Sequence, residues 1–489
     1  MVTLFLAVLL ITHVVEMKEL EQLRRDDSDA AMSSVVFTII ILLAVLLIIK
    51  FLVDIVFIYA AYKEKCGMMK KYCIFWIVFL VLFIIAFLKT LFQLSAGYVI
   101  AQILFLDQKY WKSLAEKELE EALQVRFNLR TAKNVILFVG DGMGPNTVTA
   151  ARIYRGGESH KLAFEAFPHV GLLKTYSADK MVPDSACSAT ALFSGIKANL
   201  GTLGVDATVP QSDCEASLNK DAWVDSLAAY ALKAGKSSGL VTTMRVTHAT
   251  PAPLYAHSAS RSWECEANMP ANAKQCKDIA RQLVEDWPGR DLHVEGGKID
   301  MAHHRGRAKT AVDETVAMER AVQVAVDMTS DEDTLIIVTS DHTHTLTING
   351  YPERGSSVFG IAGVSPFDRI NYTTLSYGAG GPGSFQYDIK TIDNKTRSVR
   401  REPSKEDTES YHYEQIAAIP LDENSHGGGD VAVYAKGPHA HLFHSVHEQH
   451  YVFQAIAYAA KIGPYSSGYT IEVNIILLTT AVLLLIKLF

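Results

Sequence analysis

The 489-residue chain lacks any block of basic residues: 46 Lys and Arg are outnumbered by 53 Asp and Glu, for a formal net charge of -7. Without a positive stripe to neutralise a phosphate backbone, nucleic acid is not an expected partner. Cysteine is scarce, six in all, too few for a disulfide scaffold. Internal repeats and low-complexity tracts are absent, which excludes a solenoid. The full G-x-G-x-x-G spacing of a dinucleotide loop is missing as well. GDGMG (residues 140–144) comes nearest, but Asp141 between its glycines would sit badly beside a pyrophosphate. Charged residues make up only 20% of the chain and hydrophobic ones 49%, rich for a soluble protein, so part of it is expected to meet lipid.

The apolar excess lies at the ends. Val35 to Tyr59 is long enough to cross a bilayer as a helix, with Lys50 and Asp54 as its only charges. A second run from Cys73 continues past Lys89 to about residue 95, either as one long tilted span or as a span joined to a signal-like segment. Between them Lys63, Lys65, Lys70 and Lys71 face the single acid Glu64, which places this loop in the cytoplasm and the chain beyond the second span outside the cell. Four cysteines, Cys187, Cys214, Cys265 and Cys276, share a later polar stretch, as in an exported domain carrying one or two bridges. Residues 1–15 are also apolar and read equally as a signal peptide or a buried helix. At the other end, Ser466, Ser467 and Gly468, a short spacer and the tail Ile475 to Phe489 form the pattern of a glycosylphosphatidylinositol signal. A plain C-terminal membrane anchor is the alternative. Sequons begin at Asn371 and Asn394 and are expected to carry glycans.

The chain divides into six segments: a membrane or signal-like region over 1–106, a helix within 107–132, a catalytic body over 133–350, a loop-rich insertion over 351–421, the body's return over 422–463, and the anchor signal over 464–489. Within the body, NVILFVGDG, SSGLVTT, TLIIVTSDH and GGDVAVYA are short apolar runs that end in, or open with, Gly or polar residues. They predict buried parallel strands alternating with helices, an α/β doubly wound, mostly parallel sheet whose chemistry collects past the carboxyl ends of the strands.

The candidates are at those ends: Asp141 in VGDGMG, Asp300 and His304 in KIDMAHH, Asp341 and His342 in TSDHTH, and His426 in NSHGGGD. Carboxylates and imidazoles are the ligands of catalytic Zn²⁺, and Asp300 and His304 at i, i+4 share one helix face. A single DH or HH pair is usually a cap or a surface pair; several on one sheet edge point to metal. Ser185 in VPDSACSATALFSG falls at the start of a predicted helix, where free N–H groups favour an anion. The bland reading is an N-cap serine. Arg261 in YAHSASRSW suits bidentate phosphate binding, although an isolated arginine is usually a surface ion pair.

Taken in order, VGDGMG, PDSA, VTTMRVTHATPAPLYAH, VEGGKID, TSDHTH and HGGGDVAVYAKGP resemble the alkaline phosphatases from about Lys133 to Gly463. The resemblance implies two Zn²⁺ and one Mg²⁺ per chain and a serine that is transiently phosphorylated. By position, Asp300, His304 and His426 would hold one zinc, and Asp341, His342 and Asp141 the other, beside Ser185. Asp141 would bridge to magnesium, with Thr250 and Glu295 completing that site. Arg261 would bind the substrate phosphate, and His248 and His344 match positions just behind the ligands. Cys214 and Cys276 match a family disulfide. The expected protein is a homodimeric phosphomonoesterase on the outer cell surface, acting on small phosphate monoesters.

The chain departs from that pattern in one region. Between Arg261 and Glu295 it is short by on the order of a hundred residues, typically one or more crossover units. The family's peripheral calcium site belongs to that region, so no Ca²⁺ is expected. One strand is at risk of losing its neighbour, and Cys187 replaces a small glycine beside the nucleophile. These departures sustain a second hypothesis, a pseudoenzyme serving as a surface binding or receptor module. Sulfate-ester or phosphodiester hydrolysis is a third, and would want a nucleophile segment other than PDSA.

Overall fold

The computed structural model describes residues 108–286, 294–385, 387–392 and 394–466, with Tyr59 and Phe79 as isolated positions. Apart from those two positions the proposed membrane spans, and Ser467, Gly468 and the apolar tail, lie outside the described residues. Among the described residues no helix is long and apolar enough to cross a membrane. The chain divides into two units, residues 1–126 and 127–489. Of the first, the described part is the helix α1 (Gln108–Gln124), which buries none of its residues, as its dense Lys and Glu content dictates.

In the second unit seven strands form one sheet: β1 (Asn134–Val139), β2 (His169–Lys174), β3 (Val241–Thr242), β4 (Val294–Glu295), β5 (Thr334–Thr339), β6 (Val431–Lys436) and β7 (Ser445–Glu448). Their spatial order is β7-β2-β6-β5-β1-β4-β3. All six residues of β5 are buried, as expected of a central strand covered on both faces. Alternation along β1 and β5 then feeds two cores. Leu137, Val139, Leu335 and Ile337 pack with α3 (Ser185–Ser194) and α6 (Tyr451–Ala460). Phe138, Ile336 and Val338 face the other way, against α2 (Pro145–Gly156) and α5 (Ala308–Met328). In α5 the buried set Ala308, Ala311, Val312, Thr315, Val316, Met318, Glu319 and Val322 keeps to the helical period that one covered face requires.

Two strand expectations need correction. GGDVAVYA was read as parallel, but β6 runs antiparallel to both β5 and β2. An apolar run looks the same in either direction, so polarity cannot be read from it. The reversal brings the entry of β6 to the edge where β1 and β5 end, and His426 precedes that entry by five residues. The segment read as a loop-rich insertion carries short strands: Leu375–Gly380 pairs with Ala417–Pro420 and Leu346–Ile348, and Tyr387–Ile392 pairs with Lys395–Arg400 as a hairpin.

The shortened region has not left the sheet open at β1. Strand β4 pairs in parallel with β1 on one side, Val139 against Glu295, and with β3 on the other. A third apolar cluster, with Trp263, Val205 and Met269, surrounds the disulfide Cys214–Cys276, which spans 62 residues of sequence. Among the described residues Cys187 and Cys265 are free. Because a bridge closing a loop of this length removes about 4 kcal/mol of unfolded-chain entropy, reduction is expected to lower the melting temperature by several degrees. Calorimetry with and without dithiothreitol checks this, and an unchanged transition would show that the bridge contributes nothing.

Candidate active site

Four of the candidate ligands leave the sheet at the same edge. Asp141 lies just past β1, Glu295 ends β4, Asp341 lies just past β5, and His426 leads into β6. Gly142 lets the chain turn there with φ +69°, and a Cβ on it would meet His344 at 2.6 Å. Its N–H donates to Asp341 Oδ1 at 3.0 Å. Asp300 and His304 project from the short helix α4 (Lys298–His304), one turn apart, with His304 Nε2 at 3.4 Å from Asp300 Oδ1.

These residues form three groups whose ligand atoms all lie within 4.8 Å of one another: Asp300, His304, His344 and His426; Asp141, Asp300 and His342; and Asp141, His248 and Glu295. Asp341 joins the second, its Oδ2 at 3.4 Å from His342 Nε2. Thr250 joins the third by donating to Asp141 Oδ2 at 2.8 Å. The eight residues named from the sequence thus lie together at one sheet edge, with two differences from the expected sets: Asp300 takes the place of Asp341 in the second group, and His344 and His248 stand among the ligand atoms.

The site is electrostatically incomplete by itself. Burial, then the carboxylates of Asp341, Asp300 and Glu295, push the Asp141 carboxyl well above its usual range. Burial raises Glu295 to about 7 and Asp341 to about 6. Asp300 is the exception: burial opposes its charge, but hydrogen bonds from His344 and His426 hold it well below the ordinary value. His342 is kept neutral by burial, and burial together with the charge of Arg261 lowers His248 to about 4. Divalent cations reverse the cost of such gathered carboxylates.

The hydrogen-bond pattern also fits metal. His304 Nδ1 lies 2.8 Å from the Asn424 carbonyl and His426 Nδ1 lies 3.0 Å from the Pro183 carbonyl. Carbonyls only accept, so both rings donate from Nδ1 and turn their Nε2 atoms toward each other, 3.0 Å apart and each 3.4 Å from Asp300 Oδ1. Such a contact needs a proton or a metal ion between the rings and the carboxylate. Asp341 Oδ2, Glu295 Oε1 and His248 Nδ1 are buried with no hydrogen-bond partner. The three groups thus have the donor set and the orphaned atoms that Zn²⁺ and Mg²⁺ would take.

Ser185 is the first residue of α3 and fully buried, with its Oγ 3.1 Å from His342 Nε2 and 3.4 Å from Asp141 Oδ1. The N-cap is Asp184, not Ser185: its carboxylate accepts from Cys187 N at 3.3 Å and Gly201 N at 3.0 Å. It also accepts from Arg261 Nη1 at 3.0 Å, and despite burial the arginine's charge holds its pKa low. Sequence reasoning missed this role, because nothing in PDSA announces a partner 77 residues away. Arg261 directs its other nitrogen toward His248 Nε2 at 3.3 Å and remains 30% exposed. Burial and the Asp184 charge push the Cys187 thiol well up, so it stays a neutral packing group.

A family model described as alkaline phosphatase matches residues 132–290 and 285–462. The chain belongs to the alkaline phosphatase family. It is 37% identical to the tissue-nonspecific alkaline phosphatase of Gallus gallus over 480 residues, covering 73% of this chain and 90% of that one. The Homo sapiens enzyme of the same name is 36% identical over 479 residues, covering 73% and 89%. The alkaline phosphatase of Gadus morhua is 36% identical over 478, covering 73% and 98%. Among solved structures, the alkaline phosphatase of the Antarctic bacterium TAB5 gives a TM-score of 0.45 at 20% identity, covering 68% of this chain and 99% of that one. The family match breaks at 285–290, within the segment that the sequence marks as short. Phosphate monoester hydrolysis is the activity that membership carries.

The two sequons differ. Asn371 lies half-buried in a strand, its amide donating to Glu402 Oε1 at 2.7 Å, whereas Asn394 is exposed at the hairpin turn with φ +57°. Ser466 is exposed at the end of the described residues.

In the metal-free protein, raised carboxyl pKa values cost stability as pH rises from the ordinary carboxylate range toward about 7 for Glu295. A cation must displace those protons to bind, so its stabilising effect is weak at acid pH and full above the raised values. We expect the rise in melting temperature on adding zinc and magnesium to the chelated protein to grow from about pH 5.5 to about pH 8. A rise that is equal at both pH values would contradict this site.

Proposed function

We propose that the chain hydrolyses phosphate monoesters through a phosphoserine formed on Ser185, with two zinc ions and one magnesium ion per chain. The observation that carries the reading is the junction of a helix-start serine, an arginine fixed by Asp184, and three buried ligand groups on one sheet edge. When bound, the cations supply the charge that lowers the pKa of the serine hydroxyl and of water and offsets the leaving alkoxide.

The chain's own residues do the positioning. Arg261 holds two equatorial oxygens of the substrate phosphate, its guanidinium kept in one plane by Asp184. The backbone N–H groups of the first turn of α3 face the same anion. Ser185 Oγ attacks phosphorus, the bond from phosphorus to the ester oxygen breaks, and the alcohol leaves with a proton. Water then attacks the phosphoserine phosphorus, returning Ser185 and releasing inorganic phosphate. Substrate enters where Arg261, His304 and His426 are partly exposed.

What supports an enzyme over a binding module is that every ligand position is filled and that β4 delivers Glu295 beside β1 despite the shortened region. We read the protein as membrane-attached and extracellular, from the apolar ends, the lysine-rich loop and the disulfide, and as a homodimer from the family resemblance alone. Asn394 is the sequon suited to a glycan.

Ser185→Ala is expected to reduce p-nitrophenyl phosphate turnover by several orders of magnitude and to abolish acid-trapped phosphoenzyme, with zinc content unchanged. Turnover equal to the parent's would remove Ser185 from the mechanism.

A further inference from the structure

Behind the ligands one amide uses both of its donors and its acceptor oxygen. Asn424 is fully buried, two residues before His426. Its main-chain N–H donates to the His304 carbonyl at 2.9 Å, and its carbonyl receives His304 Nδ1 at 2.8 Å. Its side-chain Nδ2 donates to Thr345 Oγ1 at 2.9 Å and to the Ala379 carbonyl. A carbonyl cannot donate, so the atom facing Ala379 must be the nitrogen, which turns Oδ1 to His344 Nδ1 at 2.7 Å. His344 in turn sets its Nε2 against Asp300 Oδ1 at 2.7 Å.

One residue therefore ties its own loop, which leads to His426, to three other segments: the end of α4, His344 with Thr345, and the strand Leu375–Gly380. Through main-chain contacts it fixes the ring plane and tautomer of His304. Through the side chain it fixes His344, which orients the Asp300 carboxylate. A side chain without a hydrogen-bonding amide at 424 would free His344 and leave the Ala379 carbonyl unpaired.

We propose that Asn424 is a positioning residue for the Asp300, His304 and His426 group, which it aims at one divalent cation, and that it sets the affinity of that site without touching the cation or the substrate. This inference rests on the metal-dependent reading above. Partners behind metal ligands typically control affinity by about 10- to 100-fold.

The test uses the full chain loaded with zinc and magnesium, titrated with a chelator while zinc release and melting temperature are monitored. The parent should release two zinc ions per chain. Asn424→Leu, which keeps the branching at Cγ but loses the side-chain hydrogen bonds, should release one of the two at about 10- to 100-fold lower chelator concentration and hold the other as the parent does. Asn424→Asp retains an oxygen toward His344 but sets a second oxygen against the Ala379 carbonyl, so it should resemble the leucine variant. If Asn424→Leu does not fold, Thr345→Ala removes one acceptor of the amide and should give a smaller shift in the same zinc. Release of both ions at the parent's chelator concentration, whatever happens to the melting temperature, overturns the role of Asn424. A parent that retains no zinc overturns the metal-dependent reading itself.

Discussion

Four carboxylates, Asp141, Glu295, Asp300 and Asp341, are buried at one edge of a sheet, and the nearby Arg261 is engaged by Asp184. Like charges this close cannot all ionise in a dry site, and much of the remaining architecture answers that constraint. Imidazoles surround the acids, with the Nδ1 atoms of His304, His344 and His426 held by oxygen acceptors so that their Nε2 atoms converge on Asp300. The site is a negatively charged cage that becomes favourable when cations share it.

The fold creates the cage by strand direction. β1, β4 and β5 run in parallel and end together, so residues just past them are neighbours in space. β6 runs the opposite way and offers its beginning to the same edge, which is how His426 meets Asp300 from a distant part of the sequence. Strand β4 is only two residues long, yet paired on both sides, and it is the element that the shortened region most endangered. Its pairing is what keeps Glu295 with Asp141 and His248.

Much of the site was legible because its ligands sit in short motifs at predicted strand ends, and a strand end is where a parallel sheet exposes polar atoms. Asp300 and His304 could be paired from helical spacing alone. Three things were hidden. The polarity of β6 is not written in VAVYAK. β2 was not anticipated because HVGLLK buries only alternate residues and lacks the uniform apolar texture used to find central strands. The hairpin of YDIKTI and KTRSVR was masked by charge. Asp184 and Asn424 were illegible as functional residues for a different reason: each acts through hydrogen bonds to residues 77 and 120 positions away, respectively, and a single sequence carries no record of such pairs.

On this reading the shortened chain retains a complete metal-dependent hydrolytic site. Elemental analysis of the full protein after exhaustive dialysis, paired with p-nitrophenyl phosphate turnover of the same sample, tests it most directly. Two zinc ions and one magnesium ion per chain are expected, with turnover that disappears on chelation and returns with the metals. A folded protein that binds none of them, or that binds them and does not hydrolyse the ester, would contradict it.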